Sequence, residues 1–193
     1  MSTTRSDVTD EGARPRKGPR VIRTLAPQVF LEKTDEEVDR AVRYDRPLSV
    51  LMIQLQGVLG IRKEEGPEVA EEAVAAAAEI IARALRRIDQ IGRLGVGEFG
   101  ILLPETRLGS AEKTAIRLRD CFEKEPIVLR SGPRQIILNI GVSTVNPRLR
   151  NAKTFLMLAC QQLREARRKG DGEISTVPAE IVRVSVARNG SIH

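Results

Sequence analysis

The chain has few aromatic residues and few of the side chains that bind metals or move protons. Aromatics make up 3% of its 193 residues, with no Trp, one Tyr, two Cys and one His. The single histidine, His193, is the last residue, and no Cys-x-x-Cys pair occurs. This composition argues strongly against zinc sites and His-based catalysis. The lack of aromatic rings also argues against binding to single-stranded nucleic acid, which uses such rings as stacking platforms.

Long hydrophobic runs are missing as well. No run approaches the ~20 apolar residues that cross a bilayer, and the N-terminus lacks the apolar core of a signal peptide. Cys121 and Cys160 lie in helical patterns and are expected to be buried thiols rather than a disulfide. We therefore expect a cytoplasmic protein with no membrane span.

The charge that is present is basic and partly concentrated at one end. The net charge is +6, and part of it comes from an Arg-, Pro- and Gly-rich segment at the N-terminus. Residues 1–24 are predicted to be a disordered basic tail, because they hold little hydrophobic content. A basic tail of mixed sign is more often solvated than bound, so we do not expect a nucleic-acid partner. The domain itself is predicted over 25–178, followed by a C-terminal extension over 179–193 with a candidate short strand at 181–186.

Hydrophobic periodicity predicts alternating helices and strands between these ends. The near-continuous apolar run over 48–56 is typical of a central strand buried on both faces. Thr34 and Glu37 fit a capping box, Ser110 fits a helix cap and Gly170 a helix C-cap. The predicted helices cover 29–44, 67–87, 110–122 and 151–169, and the predicted strands 48–56, 90–94, 98–103, 135–145 and 174–177. One hairpin among crossovers favours a palm-like α/β sandwich with a mixed, largely antiparallel five-stranded sheet flanked by helices.

The segment from Gly95 to Gly100 literally matches the dinucleotide fingerprint G-x-G-x-x-G. That fingerprint requires a helix to begin at its last glycines, so that the helix N-terminus meets the pyrophosphate. Here the chain continues as an apolar strand until Pro104. The dinucleotide-binding interpretation therefore fails on its context.

The same segment resembles the signature hairpin of the GGDEF (diguanylate cyclase) family, with two of its five letters changed. Gly95, Glu98 and Phe99 match the signature, whereas Val96 and Gly97 depart from it. Further resemblance extends from about residue 30 to 174, through the segments 40–49, 93–95, 99–106, 139–143 and 159–170. The resemblance implies the GGDEF/nucleotide-cyclase fold and a place in bacterial cyclic di-GMP signalling.

The resemblance also bears on catalysis, since the family joins two GTP molecules with the help of divalent metal. The family's metal carboxylates fall on Gln54 and Gly97, and a further strand-end Asp falls on Gln56. Hard cations need such oxygen ligands, so the chain is expected to be a catalytically inactive pseudo-enzyme with no metal, cofactor or catalytic residue. The family's Asn for guanine falls on Arg62, and another Asp falls on Glu71.

Two other motif positions keep their charge. Glu98 retains the acidic fourth letter of the signature. Three roles are open for it: a hairpin residue that faces solvent, a partner of a nearby Arg, or a nucleotide contact. Arg167 falls where the family prefers a Lys for phosphate. Both belong to the degenerate active-site positions that the resemblance implies.

A second constellation keeps the R-x-x-D spacing of the family's inhibitory site for cyclic di-GMP. Arg86 and Asp89 supply this motif, and Arg117 falls where a second arginine of that site is expected. A guanidinium group can donate two parallel hydrogen bonds to phosphate oxygens or to the guanine edge, and a carboxylate accepts from guanine N–H donors. The alternative is an i,i+3 ion pair at a helix end, worth ~0.2–0.5 kcal/mol.

Three functional hypotheses follow from these residues. The leading one is a cyclic di-GMP receptor using Arg86, Asp89 and Arg117. The second is a pseudo-enzyme scaffold that binds no nucleotide and acts through an unidentified protein partner. The third is residual cyclase activity that uses Glu71 or Glu98.

Overall fold

A nine-residue strand with side chains buried on both of its faces organises the molecule. In the computed structural model, which describes residues 24–145 and 152–177, this strand is β1, Leu48–Gln56. The elements in chain order are α1 Pro27–Arg43, β1 Leu48–Gln56, α2 Val58–Glu64, α3 Pro67–Ala84, β2 Gln90–Gly95, β3 Glu98–Pro104, α4 Leu108–Lys124, β4 Ile127–Leu129, β5 Gly132–Arg134, β6 Ile137–Thr144, α5 Ala152–Lys169 and β7 Ile174–Thr176.

The main sheet is five-stranded with the order β2-β3-β1-β6-β7. β1 lies at its centre and pairs antiparallel with both β3 and β6, whereas β7 runs parallel to β6. β4 and β5 form a separate two-stranded hairpin. The predicted fold class, a mixed and largely antiparallel five-stranded sheet flanked by helices, is therefore confirmed.

Helices cover both faces of this sheet because side chains alternate along each strand. On one face, Leu51, Ile53 and Leu55 of β1 belong to a core cluster shared with α3 and α4. On the other face, Leu48, Val50 and Met52 belong to a second cluster shared with α1 and α5. The predicted burial of β1 on both faces is thus confirmed, and aliphatic side chains supply most of the core.

Glycines allow two unusually close contacts on the α1/α5 face. Phe30 of α1 is fully buried and fills the space over Gly92 and Gly100, where an added Cβ would lie 2.4 Å and 2.5 Å from its ring. At Gly141 of β6 an added Cβ would lie 2.2 Å from the backbone nitrogen of Leu163. Both helices therefore sit against the sheet backbone itself.

Two predicted helix caps are wrong. α1 begins at Pro27, so Thr34 lies inside the helix, where its hydroxyl donates to the carbonyl of Phe30 (2.7 Å). α4 begins at Leu108 with Arg107 as its N-cap, so Ser110 lies in the first turn. Each helix therefore begins before the residue that fits the cap pattern: α1 begins at a proline, and α4 begins after an extended residue.

Helix ends and short elements also differ from the predictions. α3 ends at Ala84, and the residues up to Asp89 form a turn instead of continuing the helix. α2 and the β4–β5 hairpin have no counterpart in the predicted elements. Gly170 follows α5 with a positive φ of 143°, which favours glycine, and its amide donates to the Ala166 carbonyl (3.3 Å), so it caps the helix end.

Other predictions concern the cysteines and the chain ends. Cys121 and Cys160 are free and half-buried, on α4 and α5. The predicted tail, the extension and the candidate strand at 181–186 lie outside the described residues, apart from Thr24. Among the described residues, no helix is long and apolar enough to cross a membrane.

Candidate functional site

The signature hairpin closes at Val96 and Gly97, between β2 and β3. Gly97 is buried with a φ of 72°, a left-handed conformation that favours glycine. The amide of Leu55 donates to the Gly97 carbonyl (2.8 Å), which joins the turn to the end of β1. A Cβ at position 97 would lie 3.3 Å from the Val58 side chain. We call this end of the sheet, with residues 54–58 and 95–98, the hairpin end.

A row of polar residues crosses the sheet at the hairpin end. Gln54 of β1 pairs in register with Glu98 of β3 on one side and Asn139 of β6 on the other. Among the described residues, the Gln54 Oε1 atom is buried without a hydrogen-bond partner. Asn139 is fully buried, donates to the Gly170 carbonyl (2.9 Å) and accepts from the Gly172 amide (3.0 Å). The end of α5 is therefore held beside Gln54.

Glu71 of α3 is bound by an arginine of β2. The Arg93 guanidinium donates to both oxygens of the Glu71 carboxylate, one of them from Nη2 at 2.9 Å. This hydrogen bonding is the main cause that holds the pKa of Glu71 below its usual value, and the charge of Arg62 on α2 adds to it. Glu71 and Arg62 thus lie near each other, as the motif register implies, and Glu71 is engaged by Arg93.

One side of α5 carries Cys160, Arg164 and Arg167, spaced by a helical turn each. Cys160 packs against the same hydrophobic cluster as Leu94 of β2. Burial raises the pKa of the Cys160 thiol, the charge of Arg164 lowers it and that of Glu98 raises it. Glu98 and Arg164 therefore both lie within electrostatic range of Cys160. We call Cys160, Arg164 and Arg167 the α5 stripe.

The R-x-x-D motif forms a tight turn between α3 and β2. The Asp89 amide donates to the Arg86 carbonyl (3.2 Å), and the Arg86 amide donates to Asp89 Oδ2 (2.7 Å). The motif therefore forms a turn rather than the end of a helix, and one oxygen of the carboxylate contacts backbone. From α4, the Arg117 guanidinium donates to the Ala84 carbonyl (2.8 Å). Arg117 is thereby held at Ala84, which lies two residues before Arg86 in the chain.

A cleft of ≈640 Å³ opens beside this turn, between α3 and α4. Its lining includes the apolar side chains of Ile80, Ala84 and Ile116, together with four cationic side chains and two acids. The charged residues are Arg83, Lys113, Arg117, Lys124, Asp120 and Glu125. An excess of positive charge beside apolar side chains suits an anion with a flat apolar body.

The predicted residues thus fall into two groups at opposite ends of the sheet. Gln54, Gly97 and Glu98 meet at the hairpin end, near Glu71 and Arg62, and Arg167 lies exposed on the last turn of α5. Of the other signature letters, Gly95 and Val96 are half-buried and Phe99 is fully buried in the core. β2 separates this group from the R-x-x-D turn by six residues, or about 20 Å of strand.

Three participants were missed by the sequence interpretation. Arg93 binds a carboxylate 22 residues away in the chain, which no local pattern indicates. Arg164 shares a helix side with Cys160 and Arg167, and helical spacing alone could have grouped them. Asn139 is a polar residue within an apolar strand, and that pattern was a detectable signal of a buried hydrogen-bonding role.

Comparison with protein families settles the identity of the domain. The family described as GGDEF, "Diguanylate cyclase, GGDEF domain", matches residues 27–173. The chain belongs to the GGDEF family. The matched range ends before the last strand and omits both chain ends.

Curated relatives of this GGDEF chain carry cyclase names. It is 28% identical over 128 residues to diguanylate cyclase A of Treponema denticola, covering 66% of this chain and 34% of the relative. It is 27% identical over 135 residues to the probable diguanylate cyclase DgcC of Escherichia coli K12, covering 69% of this chain and 36% of the relative. The chain therefore spans about a third of the length of these relatives.

Solved structures agree on the fold. The GGDEF domain of PA1120 (YfiN or TpbB) from Pseudomonas aeruginosa has a TM-score of 0.76 and 22% identity, covering 82% of this chain and 99% of its own. The active GGEEF domain of a diguanylate cyclase from Vibrio cholerae has a TM-score of 0.75 and 22% identity, covering 81% and 99%. The GGDEF domain of DgcB from Caulobacter crescentus, in complex with c-di-GMP, has a TM-score of 0.75 and 15% identity, covering 86% and 98%. At these identities the likeness shows the fold alone.

These comparisons contradict the prediction that the chain is a pseudo-enzyme. The relatives are named diguanylate cyclases, and the Vibrio cholerae neighbour is described as active. The prediction rested on the side chains at two positions, Gln54 and Gly97. These side chains show which metal ligands are present at the hairpin, but they do not show whether the chain turns over GTP. The pseudo-enzyme prediction is therefore withdrawn.

The ligand set itself does not fit a divalent cation of the kind that the family implies. Gln54 and Gln56 carry neutral amides, and Gly97 has no side chain. Glu98 is an exposed single carboxylate, and within the described ranges no group of acidic, cysteine or histidine side chains could hold a metal ion. Hard cations such as Mg²⁺ take oxygen ligands and use one or two carboxylates beside substrate phosphates. The side chains of the hairpin end therefore supply one carboxylate at most to such an ion.

Proposed function

We propose that this GGDEF domain is a receptor for cyclic di-GMP, which it binds at the R-x-x-D turn through Arg86, Asp89 and Arg117. The observation that carries the proposal is the hydrogen bond from Arg117 to the Ala84 carbonyl (2.8 Å). This bond brings a cation from α4 next to a turn that lies far from it in the chain. The cytoplasmic location expected from the sequence belongs to the same proposal.

The chemistry of the turn suits this ligand. Cyclic di-GMP offers two phosphates and two guanine edges. Exposed arginines such as Arg86 bind phosphate oxygens or guanine O6 and N7 with paired donors. The Asp89 carboxylate is oriented by the Arg86 amide (2.7 Å) and can accept from the N1 and N2 donors of guanine. The adjoining cleft adds cationic and apolar side chains.

The test is isothermal titration of the full chain with cyclic di-GMP. We expect Arg86→Ala and Asp89→Asn each to weaken binding roughly tenfold or more, the loss expected for hydrogen bonds to charged groups. Asn at position 89 can still accept from the Arg86 amide, so this variant keeps the turn. Arg87→Ala is the matched control, because it removes the same charge from the same turn and should bind normally. Equal losses in Arg86→Ala and Arg87→Ala would contradict the proposal.

A second candidate is the cyclase reaction for which the relatives are named. It is favoured by those names and would use the hairpin end, where Glu71 and Glu98 are the remaining acids. The measurement is formation of cyclic di-GMP from GTP and Mg²⁺, followed by chromatography. Product that disappears in Glu98→Gln would support it. A null titration together with a null turnover assay would contradict both candidates and favour action through contact with a protein partner.

A further inference from the structure

We propose that the cleft of ≈640 Å³ between α3 and α4, which we call the α3/α4 groove, is a docking site for an acidic amphipathic helix of a partner protein. The partner is defined by its chemistry, a helix with apolar side chains on one face and carboxylates one turn apart beside them. Arg86 and Asp89 do not line the groove, and the proposal does not depend on the binding of cyclic di-GMP.

The apolar part of the groove reaches solvent. Ile116 of α4 is 43% exposed, and it lines the groove together with Ile80 and Ala84 of α3. Ile80 and Ala84 are half-buried and pack against the core cluster beneath α3 and α4, so the core fixes the position of this surface. A preformed apolar surface inside a groove of this size accepts the anchor side chains of a partner.

Cationic side chains accompany this apolar surface at helical spacing. Lys113, Arg117 and Lys124 are four and seven residues apart, so they lie on one side of α4 over ~16 Å. Arg83 adds a cation from α3. Within the described ranges, Arg83, Lys113 and Lys124 have no ion-pair partner, whereas the nearby acid Asp120 is already paired within α4 (3.3 Å). Carboxylates one turn apart along a bound helix would meet these cations in succession, which a single phosphate group could not do.

The walls of the groove determine the conformation of the segment that binds in it. Backbone groups within α3 and α4 are bonded inside their own helices, and the Ala84 carbonyl at the end of α3 accepts from Arg117 (2.8 Å). The groove therefore offers no strand edge, and a segment lying in it must satisfy its own backbone hydrogen bonds. A helix does so, and helices bind in apolar grooves through side chains three and four residues apart. Nucleic acid fits less well, because Asp120 and Glu125 line the groove and no aromatic ring does.

The groove leads away from the R-x-x-D turn. The chain directly after α4 contacts the first half of α3, where the Arg130 guanidinium donates to Glu72 (2.8 Å). α4 therefore runs back along α3, and Lys124 lies ~10 Å beyond Arg117 on the side away from the turn. Of the three residues proposed for cyclic di-GMP, Arg117 alone lines the groove. Substitutions at Lys124 can thus separate the two sites.

The experiment selects binders of the full chain from a phage-displayed library of helical peptides with randomised surface positions. We expect the enriched sequences to carry apolar side chains on one face and Asp or Glu one turn apart beside it. One enriched peptide, labelled with a fluorophore, is then titrated with the chain and followed by fluorescence anisotropy. Its binding should weaken with added salt, because exposed charges contribute to it.

Variants of the chain locate the binding. Ile116→Ser should weaken it roughly tenfold or more, as expected for a central apolar anchor, and Lys124→Gln by roughly two- to fivefold, as expected for an exposed ion pair. Met157→Ser on α5 and Lys63→Gln on α2 are the matched controls, because both side chains are exposed and lie outside the groove. Both controls should bind like the parent chain, and far-UV circular dichroism checks that every variant is folded.

Four results would overturn the proposal. The first two are a selection with no enrichment or no acidic bias, and equal losses in Ile116→Ser and Met157→Ser. The third is self-association in sedimentation that Ile116→Ser abolishes, because a second copy would then cover the groove. The fourth is weaker binding of cyclic di-GMP in Lys124→Gln, since the groove would then hold the nucleotide. A null titration of the parent chain with cyclic di-GMP would refute the receptor proposal and leave peptide binding intact, so the two failures are distinguishable.

Discussion

Replacement of Gly141 by alanine tests how closely α5 must approach the sheet. The added Cβ would lie 2.2 Å from the Leu163 nitrogen and 2.3 Å from the Ala159 carbonyl oxygen, where ordinary contact begins at 3.4 Å. Both atoms belong to the helix backbone, so no side-chain rotation relieves the overlap, and α5 must move outward by about 1 Å. Such overpacking costs typically 1–3 kcal/mol and sometimes more. We expect Gly141→Ala to lower the free energy of unfolding by about 3 kcal/mol.

The assay is urea unfolding followed by far-UV circular dichroism, since the chain has no Trp. Gly109→Ala on α4 is the control, because its added Cβ meets nothing within 4 Å beyond its chain neighbours and the adjacent backbone of its own helix. Its stability should be unchanged or higher by at most about 1 kcal/mol. A loss of ~3 kcal/mol is a large share of the 5–15 kcal/mol typical of a domain. Equal unfolding midpoints for Gly141→Ala and the parent chain would refute the close-contact reasoning.

Three further results are expected. Phe30→Ala should cost about 3–5 kcal/mol in the same urea assay, because it empties a fully buried site. Asn139→Ala should cost about 1–3 kcal/mol by leaving the Gly170 carbonyl and the Gly172 amide without their partner. Arg93 lowers the pKa of Glu71 in the folded protein. The pair therefore contributes its full stability above the pKa of Glu in the unfolded chain, about 4.3. This contribution is lost as the pH falls through the lower pKa of the folded protein. Unfolding measured against pH should therefore show a shallower acid loss in Glu71→Gln, and an unchanged profile would contradict this.

The parts of the fold that were predicted have strong periodic signals. The apolar run of β1 and the three- and four-residue spacing of α3 are long enough to dominate local alternatives. The parts that were missed are short. α2 has seven residues, and β4 and β5 have three each, too few to show a period. β5 also contains Pro133, which argues against a strand except where one edge is open.

Helix starts were predicted less well because two signals compete there. Thr34 fits a cap pattern, but Pro27 begins the helix earlier, and the Thr34 hydroxyl then bonds to the carbonyl one turn before it. The helical periodicity predicts that α3 continues through Arg86 and Arg87. The turn found there depends on a bond between the Asp89 carboxylate and a backbone amide, which helical periodicity does not reveal.

The candidate site divides in the same way. The hairpin residues could be placed by register, because β2 and β3 are joined by a tight turn and their pairing follows from it. The partners that come from elsewhere in the chain could not. Arg117 reaches Ala84 across 33 residues, and Asn139 reaches Gly170 across 31. Such contacts depend on how helices lie on the sheet, and no local sequence pattern specifies that.

The two ends of the sheet differ in how charge is organised, and this difference bears on function. At the R-x-x-D turn an acid and several cations stand together, as recognition of a base with phosphates requires. At the hairpin end the acids expected for metal are replaced by amide and glycine, while α5 supplies two arginines without an ion-pair partner among the described residues. Attraction of an anion at either end therefore comes from exposed charges, which salt screens. Binding of cyclic di-GMP at the R-x-x-D turn should therefore weaken with added salt, and binding unchanged by salt would contradict the role given to Arg86 and Arg117.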